Sequence, residues 1–350
     1  MKSVLDHIVR SSKVPGLQYL AVDRYGRFLE YAGGWADIAR QRPMTTATTM
    51  MAYSMSKTIT AAAVLQLVDS SVLKLDDAAA TYLPNFPYAP EITIRQLIAH
   101  TSGIPNPVPL SWVHAAARHA TFDENAALDA VLKKYRLLSF TPGTRFAYSN
   151  IGYWLLGGIV ERAAKVSFTT FVRSQIIDRL GIPSSELDYT LDETNHAQGY
   201  LEKYSLLNLI KRFFVAPEFI GKYEDRWLQI KDHYLNGPAF GGLVGSGRGF
   251  AKFLQDQLNP HSKLFGDSTR DQFYIQQQTG KGPVAMTLGW HMGSLNGETF
   301  YYKEGGGGGF HCMMRLYPGR GVGTVLMTNA TMFNVRSLMD RIDIQNSRAV

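Results

Sequence analysis

Tyr53-Ser54-Met55-Ser56-Lys57-Thr58 opens an apolar run, Ala61-Ala62-Ala63-Val64-Leu65 with Leu67 and Val68 behind it, of helical length and composition. On a helix Ser54 and Lys57 lie one turn apart on one face, so hydroxyl and ammonium can meet. A helix start also presents unpaired backbone N–H groups and the positive end of the dipole, both suited to a developing anion. A serine hydroxyl is a weak nucleophile until a neighbouring base takes its proton, and a desolvated lysine can be that base. The same residues equally suit a capping serine beside a solvated lysine, and a second Ser-x-x-Lys stands at Ser71-Val72-Leu73-Lys74. The first match is set apart by its company along the chain.

Before that company is read, composition narrows the field. The 350 residues suffice for a large core in one or two closely packed domains. Hydrophobic content of 45% and charged content of 19% describe a soluble globular protein. The net charge of +7 is scattered, Lys133-Lys134 and Lys211-Arg212 being pairs and not blocks, so nucleic acid is not an expected partner. The single cysteine, Cys312, forms no internal disulfide and fits a reducing compartment. The opening Met1-Lys2-Ser3-Val4-Leu5-Asp6-His7 lacks the apolar core of a signal peptide, and no apolar stretch is long enough to span a bilayer. A cytoplasmic protein is expected. His-Glu-x-x-His and paired cysteines are missing, so neither metal nor cofactor is expected. The sequence has no Gly-x-Ser-x-Gly elbow, which disfavours a Ser-His-Asp hydrolase. Gly245-Ser246-Gly247 and the run Gly305 to Gly309 lack a following P-loop lysine and read as turns beside a site.

Outward from Ser54, residues 2–12 read as a short amphipathic helix. Leu17 to Val22 and Arg27 to Tyr31 read as strands joined by the turn Asp23-Arg24-Tyr25-Gly26. From the Ser54 helix to about residue 280 the pattern is mostly helix and loop, broken by Pro84, Pro87, Pro90, Pro105, Pro107 and Pro109. Within it, Leu206, Leu207, Leu209, Ile210, Phe213 and Phe214 stand at helical spacing around Lys211 and Arg212, with Phe219, Tyr223 and Trp227 beyond. This stretch, Tyr200 to Tyr234, reads as core or as an apolar wall of the pocket. Its basic residues are too few for a membrane-surface helix, so membrane association is not expected. Met286 to Met292, Thr299 to Tyr302, Phe310 to Tyr317 and Val322 to Met327 then read as strands, and Asn334 to Ile344 as a closing helix. The expected fold class is α+β. One antiparallel sheet built from residues 1–52 and 281–350 and flanked by helices would carry an inserted, mostly helical domain, 53–280. The groove between them would be the small-molecule site. Nothing in the sequence fixes an oligomeric state.

Three further motifs follow the serine. Tyr148-Ser149-Asn150 comes after Pro142-Gly143 and before the apolar Ile151-Gly152-Tyr153-Trp154-Leu155-Leu156, which leaves the tyrosine on a loop at a helix start. Tyr234-Leu235-Asn236 is a second Tyr-x-Asn without that frame. Lys303-Glu304-Gly305 ends a strand and opens the glycine run, with His291-Met292-Gly293 as a rival inside the preceding strand. His100-Thr101-Ser102-Gly103 follows the helical Ile94-Arg95-Gln96-Leu97-Ile98. Taken in order, the four motifs resemble the serine β-lactamase and penicillin-binding-protein superfamily. The branch they resemble is that of class C β-lactamases, D-amino-acid peptidases and family VIII carboxylesterases.

The resemblance covers nearly the whole chain, including Gly241-Gly242-Leu243, Leu288-Gly289-Trp290 and Gly309-Phe310, and implies the roles that follow. Ser54 would be the acylated nucleophile, with Lys57 and Tyr148 sharing proton transfer. Asn150 would orient Lys57 and the substrate, and Lys303 and Gly305 would form the third box. The N–H groups of Ser54 and Gly306 would bind the oxyanion. Lysine and tyrosine both titrate near 10, so one must be depressed to serve as a base. Lys57 and Lys303 on two sides would favour tyrosinate at Tyr148, and desolvation would oppose it. His100 is read as shaping a loop. Family β-lactamases carry threonine where this chain has Glu304, which would repel an anionic substrate if it faced the pocket. The expectation is a metal-independent serine hydrolase, foremost a carboxylesterase on neutral esters. A D-aminopeptidase, amidase or β-lactamase, an acyltransferase, and a non-catalytic scaffold are the alternatives.

Overall fold

The computed structural model describes residues 2–107, 112–211 and 215–346. A seven-stranded antiparallel sheet organises it. The N-terminal part supplies β1 (Gly16–Val22), β2 (Arg27–Asp37) and β3 (Arg42–Pro43). The C-terminal part supplies β4 (His291–Leu295), β5 (Glu298–Gly307), β6 (Phe310–Tyr317) and β7 (Val322–Thr328). The order across the sheet is β4-β5-β6-β7-β1-β2-β3, so the two ends of the chain meet where β1 pairs with β7, Leu17 opposite Thr328. The turn between β1 and β2 closes as its residues suggest, with Asp23 Oδ1 accepting from the N–H groups of Tyr25 and Gly26.

Helix α1 (Lys2–Arg10) precedes the sheet. The central segment supplies α2 (Ser56–Asp69), α3 (Asn150–Ala164) and α4 (Gly247–Leu258), and α5 (Val335–Asn346) follows β7. Alternation along β1 sends Leu17, Tyr19 and Ala21 to one face, where they pack with Leu5 and Ile8 of α1 and Leu338, Met339 and Ile342 of α5. Leu20 and Val22 face the other way, into the large core that holds α2 and Phe250 and Leu254 of α4. Every residue of β1 is therefore buried, which explains an apolar run where a one-sided strand would alternate. The fold is the expected α+β arrangement.

A buried ion pair ties α5 to the sheet. Arg315 of β6 and Asp343 of α5 lie 3.0 Å apart, both fully buried, and Asp343 also accepts from the hydroxyls of Tyr317 at 2.7 Å and Tyr19 at 3.2 Å. Truncating the carboxylate removes the acceptor of two buried hydroxyls and a charge partner of Arg315, which keeps the half-exposed Asp340 at 2.7 Å and the Arg336 carbonyl at 3.2 Å. Asp343→Ala is expected to cost about 3–5 kcal/mol. A urea titration should show the midpoint falling at unchanged slope.

The structure departs from the sequence reading in four places. Residues 53–280, read as mostly helix and loop, also hold a three-stranded antiparallel sheet of Gly199–Glu202, Trp227–Ile230 and Ile220–Glu224 that the sequence did not signal. Among the described residues of the same stretch Leu206–Ile210 is α-helical and Pro217–Phe219 forms a 3-10 turn. Leu207 packs on Leu201, Leu228 and Ile230, whereas Leu206 and Leu209 are 73% and 76% exposed and are not core. Arg212, Phe213, Phe214 and Pro109 lie outside the described residues. The strand expected over Met286 to Met292 begins only at His291, because Gly289 turns at φ +98° against α2, where a Cβ would meet Ala61 at 2.5 Å. Finally, β5 does not stop at Lys303 but continues to Gly307.

Candidate active site

Ser54 sits in a single 3-10 turn, Tyr53–Met55, immediately ahead of α2. Its side chain caps nothing, which sets aside the reading of an ordinary capping serine. The turn is held in an unusual conformation, Tyr53 having φ +45°, a left-handed value costly for a residue with a Cβ. Two contacts hold it there. The Tyr53 hydroxyl donates to the carbonyl of Gly308 at 2.6 Å, and its ring lies where a Cβ on Gly307 would be, 2.5 Å away. A Cβ on Gly305 would likewise fall 2.1 Å from the carbonyl of Ala52 and 3.0 Å from the nitrogen of Ser54. The glycines are needed because β5 runs directly against the Ser54 turn.

Lys57 enters from the first turn of α2, all of whose residues from Ser56 to Leu67 are buried. Its Nζ lies 3.1 Å from Ser54 Oγ and donates to Asn150 Oδ1 at 2.7 Å and to the carbonyl of Phe240. Burial, and then the nearby Lys303, push its pKa well below that of a free lysine. A neutral amine has two N–H bonds and one lone pair. With the two protons given to Asn150 and Phe240, the lone pair faces the serine hydroxyl. Asn150 is fixed in turn, its Nδ2 donating to Asn106 Oδ1 at 3.1 Å.

Tyr148 reaches Ser54 from the other side, its hydroxyl donating to Oγ at 2.8 Å. It precedes α3, which Ser149 caps by accepting from the N–H of Gly152 at 3.0 Å. His100 is buried behind it, the ring tilted against Tyr148 at 4.3 Å and Nδ1 accepting from the N–H of Ser149 at 3.1 Å, and so shapes this loop. Burial is the first influence on the Tyr148 hydroxyl and raises the pKa beyond that of a free tyrosine, the opposing desolvation that the sequence reading set against the two lysines.

Lys303 is fully buried on β5, with Nζ 5.2 Å above the Tyr148 ring and a pKa brought down to about 7 by burial. Glu304, next along the strand, points to the opposite face. There it accepts from His311 at 2.9 Å and Arg336 at 3.0 Å, so it does not repel an anion in the pocket. Ser54 and Asn150 also line a cavity of about 280 Å³ whose walls include Val113, Phe219, Ile230, Leu235 and Phe240, with Gly306 along one edge. The structure thus brings Ser54, Lys57, Tyr148, Asn150, Lys303, Gly305 and Gly306 together, while Ser71 and Lys74 lie beyond the far end of α2. Among the described residues no group of three or more His, Cys, Asp or Glu side chains is placed to hold a metal ion. Sequence reasoning missed Tyr53, the Phe240 carbonyl and His291. His291 belongs to the rival box His291-Met292-Gly293, and its register opposite Tyr302 sets it one residue from Lys303.

The family model described as Beta-lactamase matches residues 1–347. The chain belongs to the beta-lactamase family. A curated relative is Protein flp of Staphylococcus aureus (strain N315), 24% identical over 351 residues and 98% of this chain, which spans 65% of that protein's length. Penicillin-binding protein 4* of Bacillus subtilis (strain 168) is 32% identical over 144 residues, 41% of this chain and 31% of that protein. The solved D-amino acid amidase from Ochrobactrum anthropi SV3, complexed with L-phenylalanine, superposes at a TM-score of 0.83 and 19% identity, covering 99% of this chain and 98% of that one. At that identity the likeness shows the shared beta-lactamase fold. Among the described residues of this family member, no helix is long and apolar enough to cross a membrane.

Proposed function

We propose that this protein is a serine hydrolase acting through an acyl-enzyme on Ser54, and that its substrates are neutral carboxylic esters. The observation that carries the reading is the hydrogen-bond chain from Tyr148 to Ser54 to Lys57, with the amine buried and its other two contacts both acceptors. Ser54 Oγ attacks the ester carbonyl carbon as its proton passes to Lys57 Nζ. The carbonyl oxygen becomes the oxyanion and takes hydrogen bonds from the N–H groups of Ser54 and Gly306, donors of a kind each worth about 3–4 kcal/mol. The intermediate collapses, the bond to the alcohol oxygen breaks, and Tyr148 gives that oxygen a proton, recovering one from Lys57. Water then attacks the acyl-serine by the same groups in reverse.

The cavity supports neutral substrates. Its described lining is chiefly apolar and contains no Asp, Glu, Lys or Arg side chain. A D-amino acid amide would place an α-ammonium there without a carboxylate to pair it, and a β-lactam would place a carboxylate without an exposed cation. The residue after Lys303 also offers no threonine hydroxyl, and Glu304 is turned away. We expect kcat/KM for p-nitrophenyl butyrate to exceed that for a cephalosporin by at least about a hundredfold, roughly 2.7 kcal/mol of transition-state discrimination. Parallel initial-rate measurements decide it, and equal values or a preference for the cephalosporin reject the ester assignment. A scaffold without activity has no physical need to bury two lysines beside a serine, since each carries a desolvation cost.

A further inference from the structure

Lys57 and Lys303 are buried in one cluster, and two ammonium groups desolvated side by side resist being charged together. The pair therefore holds a single proton across part of the pH range, and catalysis by Lys57 requires that proton to stay on Lys303. The charged and titratable groups around Lys303 are Lys57 on α2, Tyr148 and Tyr153 at the start of α3, His100 ahead of them, and His291 on β4. Arg336 on α5 acts on His291 as well. Among the described residues no carboxylate makes an ion pair with Lys303, and its hydrogen-bond partner is His291 Nε2 at 3.4 Å. An ammonium has donors only, so the nitrogen facing it must be the bare one of a neutral ring. His291 is suited to stay neutral, because burial and then Lys303, Arg336 and Lys57 bring its pKa down to about 2. Its ring is half-buried and held in place, lying nearly parallel to Tyr148 at 6.2 Å, edge-on to Phe146 at 6.3 Å and 5.2 Å from Tyr302.

We propose that His291 is a positioning residue whose unprotonated Nε2 accepts a hydrogen bond from Lys303, keeps the shared proton there and so leaves Lys57 free to take the proton of Ser54. This rests on the hydrolase reading above. No group moves and no bond forms; the imidazole biases which of two amines is charged. Without it the proton shifts toward Lys57, whose apparent pKa rises, and a higher pH is needed to free the base.

The test is the pH dependence of kcat/KM for p-nitrophenyl butyrate in the wild type and in His291→Phe, His291→Leu and His291→Gln, with fluorophosphonate labelling of Ser54 followed in parallel. The Phe and Leu variants lose the acceptor, and their acid limbs should move up by about one pH unit, a tenfold lower kcat/KM on the acid side. At the alkaline end their values should approach the wild type. Gln carries an acceptor oxygen, so its limb should return toward the wild-type position. Superimposed limbs, or a Gln variant displaced as far as Phe, overturn the inference. The two apolar variants guard against one failing to fold. A wild type that neither labels nor hydrolyses the ester overturns the hydrolase reading itself, an outcome visible before any His291 variant is made.

Discussion

Ser54→Ala should reduce ester turnover by at least about 10⁴-fold and abolish covalent labelling by a fluorophosphonate, because removing the nucleophile removes the acyl-enzyme route altogether. Intact-mass spectrometry is the readout, the wild type gaining one adduct and the variant none. The control lies at the other end of α2. Ser71 belongs to the other Ser-x-x-Lys, but it stands beyond the C-terminal end of α2, and its Lys74 donates its backbone N–H to Asp77 without approaching Ser54. Ser71→Ala should label and turn over as the wild type does. An adduct that survives Ser54→Ala places the nucleophile elsewhere.

Lys57→Met should lower kcat/KM by about 10³–10⁴-fold, near the upper end of what a positioned general base contributes. Methionine preserves volume at a position with no exposed surface, so the loss reports chemistry more than packing. Lys57→Arg sharpens the test. Arginine keeps the positive charge but cannot become neutral in a protein, so it cannot take the serine proton. Both variants should fail alike, with near-UV circular dichroism showing an intact fold. An arginine variant retaining more than a tenth of the wild-type kcat/KM would reject Lys57 as the base.

Much of the site was legible because short-range chemistry wrote it. Ser54 and Lys57 are neighbours by helical spacing alone, and Tyr148 is marked by the Pro-Gly turn before it and the apolar helix after it. The sheet was legible from strands at both ends, since β1 and β6 carry the apolar runs that burial on two faces demands. The small sheet around Trp227 was not. Leu206, Leu207, Leu209 and Ile210 mimic a buried helix, and only their packing shows Leu207 turned inward and Leu209 turned out. Protonation was hidden for a similar reason. Neighbouring cations, which the motifs reveal, would favour tyrosinate at Tyr148, whereas the extent of its desolvation, which only the folded packing reveals, raises its pKa. His291 reaches Lys303 through strand register, a long-range property that residue spacing does not encode.

The pairing of β1 with β7 has a consequence for the order in which the molecule is made. Leu17 leaves the ribosome early and its partner Thr328 leaves late. At about 5–20 residues per second the inner edge of β1 waits roughly 15–60 s for its neighbour. Throughout that interval an apolar strand edge stands open to other chains, the hazard that holdase chaperones relieve. Ser54, Lys57 and Tyr148 are all translated well before Lys303 and the glycines that close the site. A nascent chain stalled before Lys303 would lack the residues that close the site, so the hydrolase activity proposed above would await translation past them.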